Sequence, residues 1–528
     1  MKKIFRLILV TPAFLFLAGC DKNFKEINTN PQQINNVDPG YLFTNALRNT
    51  PAFNWMGEST IVQQFVLPYN LGTTSGYQFN ENVDGLNNGP WNAYTGSIKY
   101  LEQVISVVKD NAARKNLYNE TRIWRAYNYM WLVDHYGDLP YTEAGKGLTG
   151  ALKPKYDKAD AIYTDLYKEL KEATQALNAS GDNTSNFDIF VAIGTSTANE
   201  NLFWKKLGNS LLLRLGMRYS KLDANKAKSI VQDAFNGGVM QSNADNAIVR
   251  NMDDAGLPIT GYNSAVNNTI RTVNPFNYYL AEPLVTKLKS YTDPRLKYIS
   301  ARYTPNQNTA PSVTNPDTTL ANQYGFPIGY SDATLSTLPG YRPSAGQGQD
   351  YSQINFNVAG NSTAPMPIIT NAQTKLLLAE AAYKGWLTGL AGALTAQQYY
   401  EAGIKASMDE YDVYPSTIKP KAVPTNLQDQ YLTVPGVSWN NADALNQINT
   451  QYWIASFNNG YEAWSNWRRS GFPVLLPNKF NNNLNGGFIR RFAYPLREVS
   501  ANEANYTQAV TSIGGKDDLT TQVFWDKP

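Results

Sequence analysis

The sequence predicts an all-α-dominated fold: tetratricopeptide-like helix pairs forming a scaffold, with a long loop-rich insertion between them. Three observations lead there. Apolar side chains recur at helical spacing, as at Ile123, Tyr127, Met130 and Trp131. The periodic stretches come in pairs joined by short connections, although no strict 34-residue repeat is visible. Between about Met240 and Ile368 the periodicity fades, and Pro, Gly, Asn, Ser and Thr dominate from Thr304 to Pro367. A loop-rich segment of that length in a helical domain is usually functional or disordered, and its scattered tyrosines argue against plain disorder.

Taken in order, the chain starts with Lys2, Lys3 and Arg6, then an apolar run from Ile8 to Leu17, then Ala18-Gly19 before Cys20. A basic start, a short apolar run and small residues mark an export leader over residues 1–19. The run is short for a membrane helix, which needs about 20 residues. Residues 20–39 read as a tether and 40–528 as one domain. Helices are expected over Glu120–Tyr136, stopped by Gly137, and over Asp160–Leu177. A third runs through Trp204, Leu211, Leu215, Tyr219 and Leu222. A fourth, Ala224–Phe235, is capped by Asp223 and ended by Gly237-Gly238. One helix, Pro275–Tyr291, interrupts the insertion. Beyond it, Thr370 or Asn371 caps a helix through Leu376, Ala379, Tyr383 and Trp386. Tyr400, Ile404, Met408 and Tyr411 line the next, and Ala442–Asn459 forms another, with small alanines at the close crossings.

Composition excludes several classes. The formal charge is +3, and 46 basic residues less Lys2, Lys3 and Arg6 leave 43, equal to the 43 acidic ones. A balance of zero argues against nucleic acid as a partner, which usually demands a basic face. One cysteine rules out a disulfide and a cysteine zinc cluster, and one histidine, His135, rules out a two-histidine site within the chain. Thirty-four Tyr and 11 Trp with few charges suit uncharged polar ligands, and equally an aromatic core.

Leu17-Ala18-Gly19-Cys20 resembles the lipobox of bacterial lipoproteins, where the cysteine sulfur accepts a diacylglycerol and becomes the mature terminus. The alternative is an ordinary secretory leader. Further motifs run along the chain: EINTNP from Glu26 to Pro31, RAYNYMWLVDHYGDLPYTEA from Arg125 to Ala144, Tyr156-Asp157, and Trp204 to Leu215. Thr292-Asp293-Pro294-Arg295-Leu296, Leu378 to Ala381, Gly403 to Met408, Glu462-Ala463-Trp464, Arg468 to Pro473, and Arg491 through Tyr494-Pro495 to Asn502 follow. In that order they resemble the SusD/RagB family of nutrient-binding outer-membrane lipoproteins of Bacteroidetes. The segment Cys20-Asp21-Lys22-Asn23 departs from the acidic surface-export signal that many members carry.

The resemblance implies a surface lipoprotein that binds a nutrient, foremost an oligosaccharide, and passes it to a SusC-like TonB-dependent transporter. It implies a membrane anchor through lipid on Cys20, and neither catalysis nor a cofactor. A peptide ligand, a ligand-free helical lid and a lipid-anchored hydrolase are the alternatives. No G-x-S-x-G, HExxH or Walker loop is present. His135 beside Asp134 reads as a helix-end residue, and Asp253-Asp254 as a turn or a calcium loop. Arg468 and Arg469 are expected to pair with buried carboxylates.

A sugar binder needs exposed flat rings and groups that both donate and accept hydrogen bonds, carried on loops. Two loop regions qualify. The early one offers Tyr77, Asn88, Trp91 and Asn92, and the middle one Tyr324, Tyr330 and Tyr341. For Trp91 the alternative is that it opens a helix and packs into the core.

Overall fold

The computed structural model describes residues 37–50, 56–68, 82–147, 150–252, 267, 270, 278–303, 316–331, 333–342, 350–416, 422–478 and 484–527. The leader, Cys20, the EINTNP segment, Tyr77 and Asp253-Asp254 lie outside them. The principal helices are α1 (Pro39–Arg48), α2 (Asp84–Trp91), α3 (Lys99–Val108), α4 (Lys115–Tyr136), α5 (Ala159–Ala176), α6 (Thr197–Arg218) and α7 (Ala224–Gly237). They continue with α8 (Glu282–Ser290), α9 (Asn371–Tyr383), α10 (Ala396–Asp409), α11 (Ala444–Ala455) and α12 (Gly460–Ser470). None of the described helices is long and apolar enough to cross a membrane.

Helix ends follow the local chemistry. Asp223 accepts from Lys226 N at the start of α7, and Thr370 and Gln373 cap α9 reciprocally. Gly137 closes α4 at φ +81°, a backbone region that a residue with a Cβ rarely enters. The helices pack as antiparallel-style neighbours along the chain: α4 on α5, α5 on α6, α6 on α7, then α9 on α10 and on α11. Glycines stand at two close crossings. A Cβ on Gly208 of α6 would stand 2.4 Å from Thr174 Cγ2 of α5, and one on Gly403 of α10 would stand 2.7 Å from Leu376 Cγ of α9.

Short antiparallel ladders join the connecting segments, three of them involving the insertion. β1 (Phe65–Val66) pairs with β5 (Tyr279–Leu280), and β2 (Leu139–Pro140) with β3 (Tyr156–Asp157). β4 (Ala247–Val249) pairs with β8 (Met366–Ile369), and β6 (Ser300–Ala301) with β7 (Gln353–Ile354). The helix expected over Pro275–Tyr291 is therefore shorter. Tyr279-Leu280 joins a strand, and the helix begins only at Glu282-Pro283, where proline suits the first turn. The helix expected over Ala442–Asn459 contracts to α11, because Asn440 caps a separate 3₁₀ turn ahead of it and Asn458 turns to φ +65° behind it. Leu222 falls beyond α6 and is exposed.

Buried charge ties the halves together. Arg218 of α6 reaches Glu462 of α12 at 2.8 Å and Asp134 of α4 at 3.2 Å, and Arg214 meets Glu462 at 3.2 Å. Asp134 also accepts from Tyr163, from Tyr461 at 2.9 Å and from Trp525 Nε1 at 2.9 Å. Arg295 is held by Asp293 at 2.6 Å and Gln451 at 2.7 Å. Arg469 pairs with Glu380 at 2.7 Å as expected. Arg468 does not: its guanidinium lies 3.5 Å over the Trp464 ring and donates to Arg490 O at 2.8 Å, and burial lowers it to about 10. His135, in the last turn of α4, is fully buried, with one ring nitrogen 2.7 Å from Trp131 O and the other 2.7 Å from Glu58 Oε1, so the helix-end residue is also a core group.

Candidate functional site

Outside the main core sits a second apolar cluster, Val66, Tyr279, Ala281, Phe326, Leu335 and Tyr351. It forms where β1 and β5 meet the segment 324–351. Ala281 N donates to Gln64 O at 3.1 Å, and Glu282 N to Phe326 O at 2.8 Å, so α8 emerges from this cluster at a set angle. Tyr324, Tyr330 and Tyr341 all pack against it, half-buried. The three middle-region tyrosines named from the sequence are thus brought together.

Two hollows flank α8. One, of about 490 Å³, is apolar: Tyr330, Ile328 and Pro283 face the wall Pro473–Pro477, with Trp453 at its floor. Val474 and Leu476 of that wall are 77% and 76% exposed, unusual for large apolar side chains beside a cavity. Gln63, at φ +57°, pins the wall by donating to Leu476 O at 2.5 Å. Trp453 is 1% exposed and donates to Val62 O at 3.0 Å, so it shapes the floor without offering a free ring.

The other hollow, of about 580 Å³, is more polar, with Tyr324, Arg342, Lys289, Gln323 and Tyr351 around it. Tyr324 carries cations: Arg342 stands 3.7 Å over its ring, Lys289 4.8 Å and Arg302 5.6 Å. The ring expected to stack on a sugar is covered by guanidinium instead, because Arg302 and Arg342 converge on Asp350 beside it. Tyr341 packs on the cluster but is not among the residues lining either hollow.

The early region does not join them. Trp91 is 3% exposed and closes α2, where the alternative had it opening a helix, amid Tyr94, Tyr136, Tyr156 and Tyr494 at 4.9–6.2 Å between ring centres. Its N–H donates to Tyr136 OH at 3.1 Å. The core alternative is the one its surroundings match. Asn88 is half-buried and donates to Asp84 Oδ2 at 2.6 Å, while Asn92 is exposed just past the helix.

A larger hollow, about 920 Å³, lies elsewhere, between Phe190, Leu202 and the acidic turn Asp409, Glu410 and Asp412. Burial pushes Glu410 up to about 8. None of the residues named from the sequence lines it. Among the described residues no three His, Cys, Asp or Glu side chains gather as a metal site. Sequence reasoning missed Thr286, Arg342, Trp453 and the 473–477 wall. They come together only through non-local packing, and apart from Pro473, the end of the Arg468–Pro473 motif, no motif marks them.

No curated protein matches the chain. Among solved structures it is similar to a chitin-binding protein, at 28% identity and TM-score 0.76, covering 93% of this chain and 100% of that one. A Bacteroidetes SusD-like protein superposes with TM-score 0.79 at 24% identity, covering 93% and 100%. A chitin-binding SusD homologue from Flavobacterium johnsoniae does so with TM-score 0.69 at 23% identity, covering 93% of this chain and 95% of that one. The SusD-like family, described as starch-binding and associating with the outer membrane, matches residues 31–495. The chain belongs to that family, and in it the motif arginines Arg214, Arg295 and Arg469 are buried against carboxylates.

Proposed function

We propose that this protein is a surface lipoprotein, anchored through Cys20, that captures an oligosaccharide and delivers it to a SusC-like TonB-dependent barrel. Membership of a starch-binding family across residues 31–495 carries the reading. The chitin-binding proteins of similar structure support it, as does the apolar hollow beside Tyr330. Sugars present apolar C–H faces and outward hydroxyls, and that hollow offers a half-buried ring and apolar walls beside the exposed polar side chains Glu282, Thr286 and Ser290. The protein's role is binding.

The experiment is calorimetric titration of the mature chain with soluble starch, soluble chitin fragments and unrelated peptides. Saturable heat with a glycan and none with peptides is the expected result. Heat with peptides alone transfers the reading to a peptide binder, and release of new reducing ends transfers it to a hydrolase.

A further inference from the structure

We propose that the two hollows are halves of one site, in which a linear, uncharged oligosaccharide lies across the crest of α8. This rests on the oligosaccharide reading above and narrows it to chains long enough to reach both sides. Glu282, Thr286 and Ser290 line both hollows. A spacing of four residues sets them in one row along one face of the helix. All three are exposed. Ser290 donates to Lys287 O at 2.9 Å, while the Glu282 carboxylate and the Thr286 hydroxyl make no side-chain hydrogen bond among the described residues. A carboxylate and two hydroxyls in a row along a ridge suit the hydroxyls of a sugar chain passing over it.

The two sides differ in a way one polymer can satisfy. On the first, Tyr330, Ile328 and the 473–477 wall suit C–H faces. On the second, Arg302 and Arg342 share Asp350, and Lys289 donates to Gln323 O at 2.6 Å, so the cations there are already met. Nothing in that balance favours a charged ligand. A helix with its side chains is about 10–12 Å across, so a ligand in both hollows has to be several rings long. Once one end is held, the other binds from a high effective concentration.

The test is calorimetry on the full mature chain with chitobiose and chitohexaose, and with maltose and maltohexaose. In at least one series the hexamer binds about tenfold or more tightly than the dimer. Thr286→Arg raises the crest and abolishes that advantage at an unchanged melting temperature; Ser290→Arg does the same from the next turn. Equal affinity of dimer and hexamer, or an advantage that survives both variants, overturns the two-sided site and leaves the oligosaccharide reading standing. No heat from any of the four sugars overturns that reading, and this inference with it.

Discussion

Tyr330 and Trp91 are both aromatics picked for a sugar, and the structure gives them opposite fates. Tyr330 lines a hollow, so Tyr330→Ala is expected to weaken glycan binding by about 1–3 kcal/mol, by analogy with stacking on bases, at an unchanged melting temperature. Trp91 is enclosed by four tyrosines, so Trp91→Ala is expected to cost about 3–5 kcal/mol of stability while the folded fraction binds as before. Denaturant titration beside calorimetry separates the two. Loss of binding at full stability in the Trp91 variant removes the core assignment. Single carboxyls also set the pH response. Burial raises Asp188 to about 7 and Glu410 to about 8. A raised carboxyl contributes stability in full below its unfolded pKa, and that contribution is lost as pH rises through the folded value. The melting temperature should therefore fall between about pH 5 and pH 9, and Glu410→Gln should flatten the upper part of that fall. A melting temperature that rises over this range contradicts the assignment.

At the scale of elements, most helices could be read in advance because their periodicity and their caps agreed. Asp223 and Thr370 cap as expected, and Gly137 stops α4. The errors fell where one signal served two structures. The run Tyr278-Tyr279-Leu280 is apolar enough for a helix, yet its edge is taken by β1. At the crossing of α9 and α10, Gly403 is required by the nearness of Leu376. Gly403→Val should thus cost on the order of 1–3 kcal/mol by overpacking, measured by chemical unfolding. A neutral result would mean that α9 and α10 can part at that point. The family motifs were legible for a related reason. Arg214, Arg295 and Arg469 sit in buried networks where few other side chains serve, so their neighbourhoods read clearly. The apolar hollow beside α8 is built from segments about 200 residues apart, 282–290 and 473–477, and neither segment announces the other.

For the whole molecule, the expectations concern where it sits and what it sits on. Cys20→Ser should move the protein from the membrane to the soluble fraction, read by fractionation of cells lacking the cognate barrel. Persistence in the membrane would reveal a second anchor. The wild-type protein should co-purify with that barrel in mild detergent, across an interface larger than about 1,200 Å². Repeated recovery of the protein alone counts against the lid arrangement.

The hydrogen bond from Trp525 to Asp134 has a consequence in time as well as in space. Asp134 is buried at 0% exposure, and its donors come from Tyr163, Arg218, Tyr461 and Trp525. During synthesis the carboxylate leads and its last donor trails by 391 residues. Until that donor arrives, closing the core around α4 leaves a buried charge short of a partner. Contacts this distant in sequence form slowly. The core around α4 is thus complete only once the C-terminal segment that carries Trp525 has joined it.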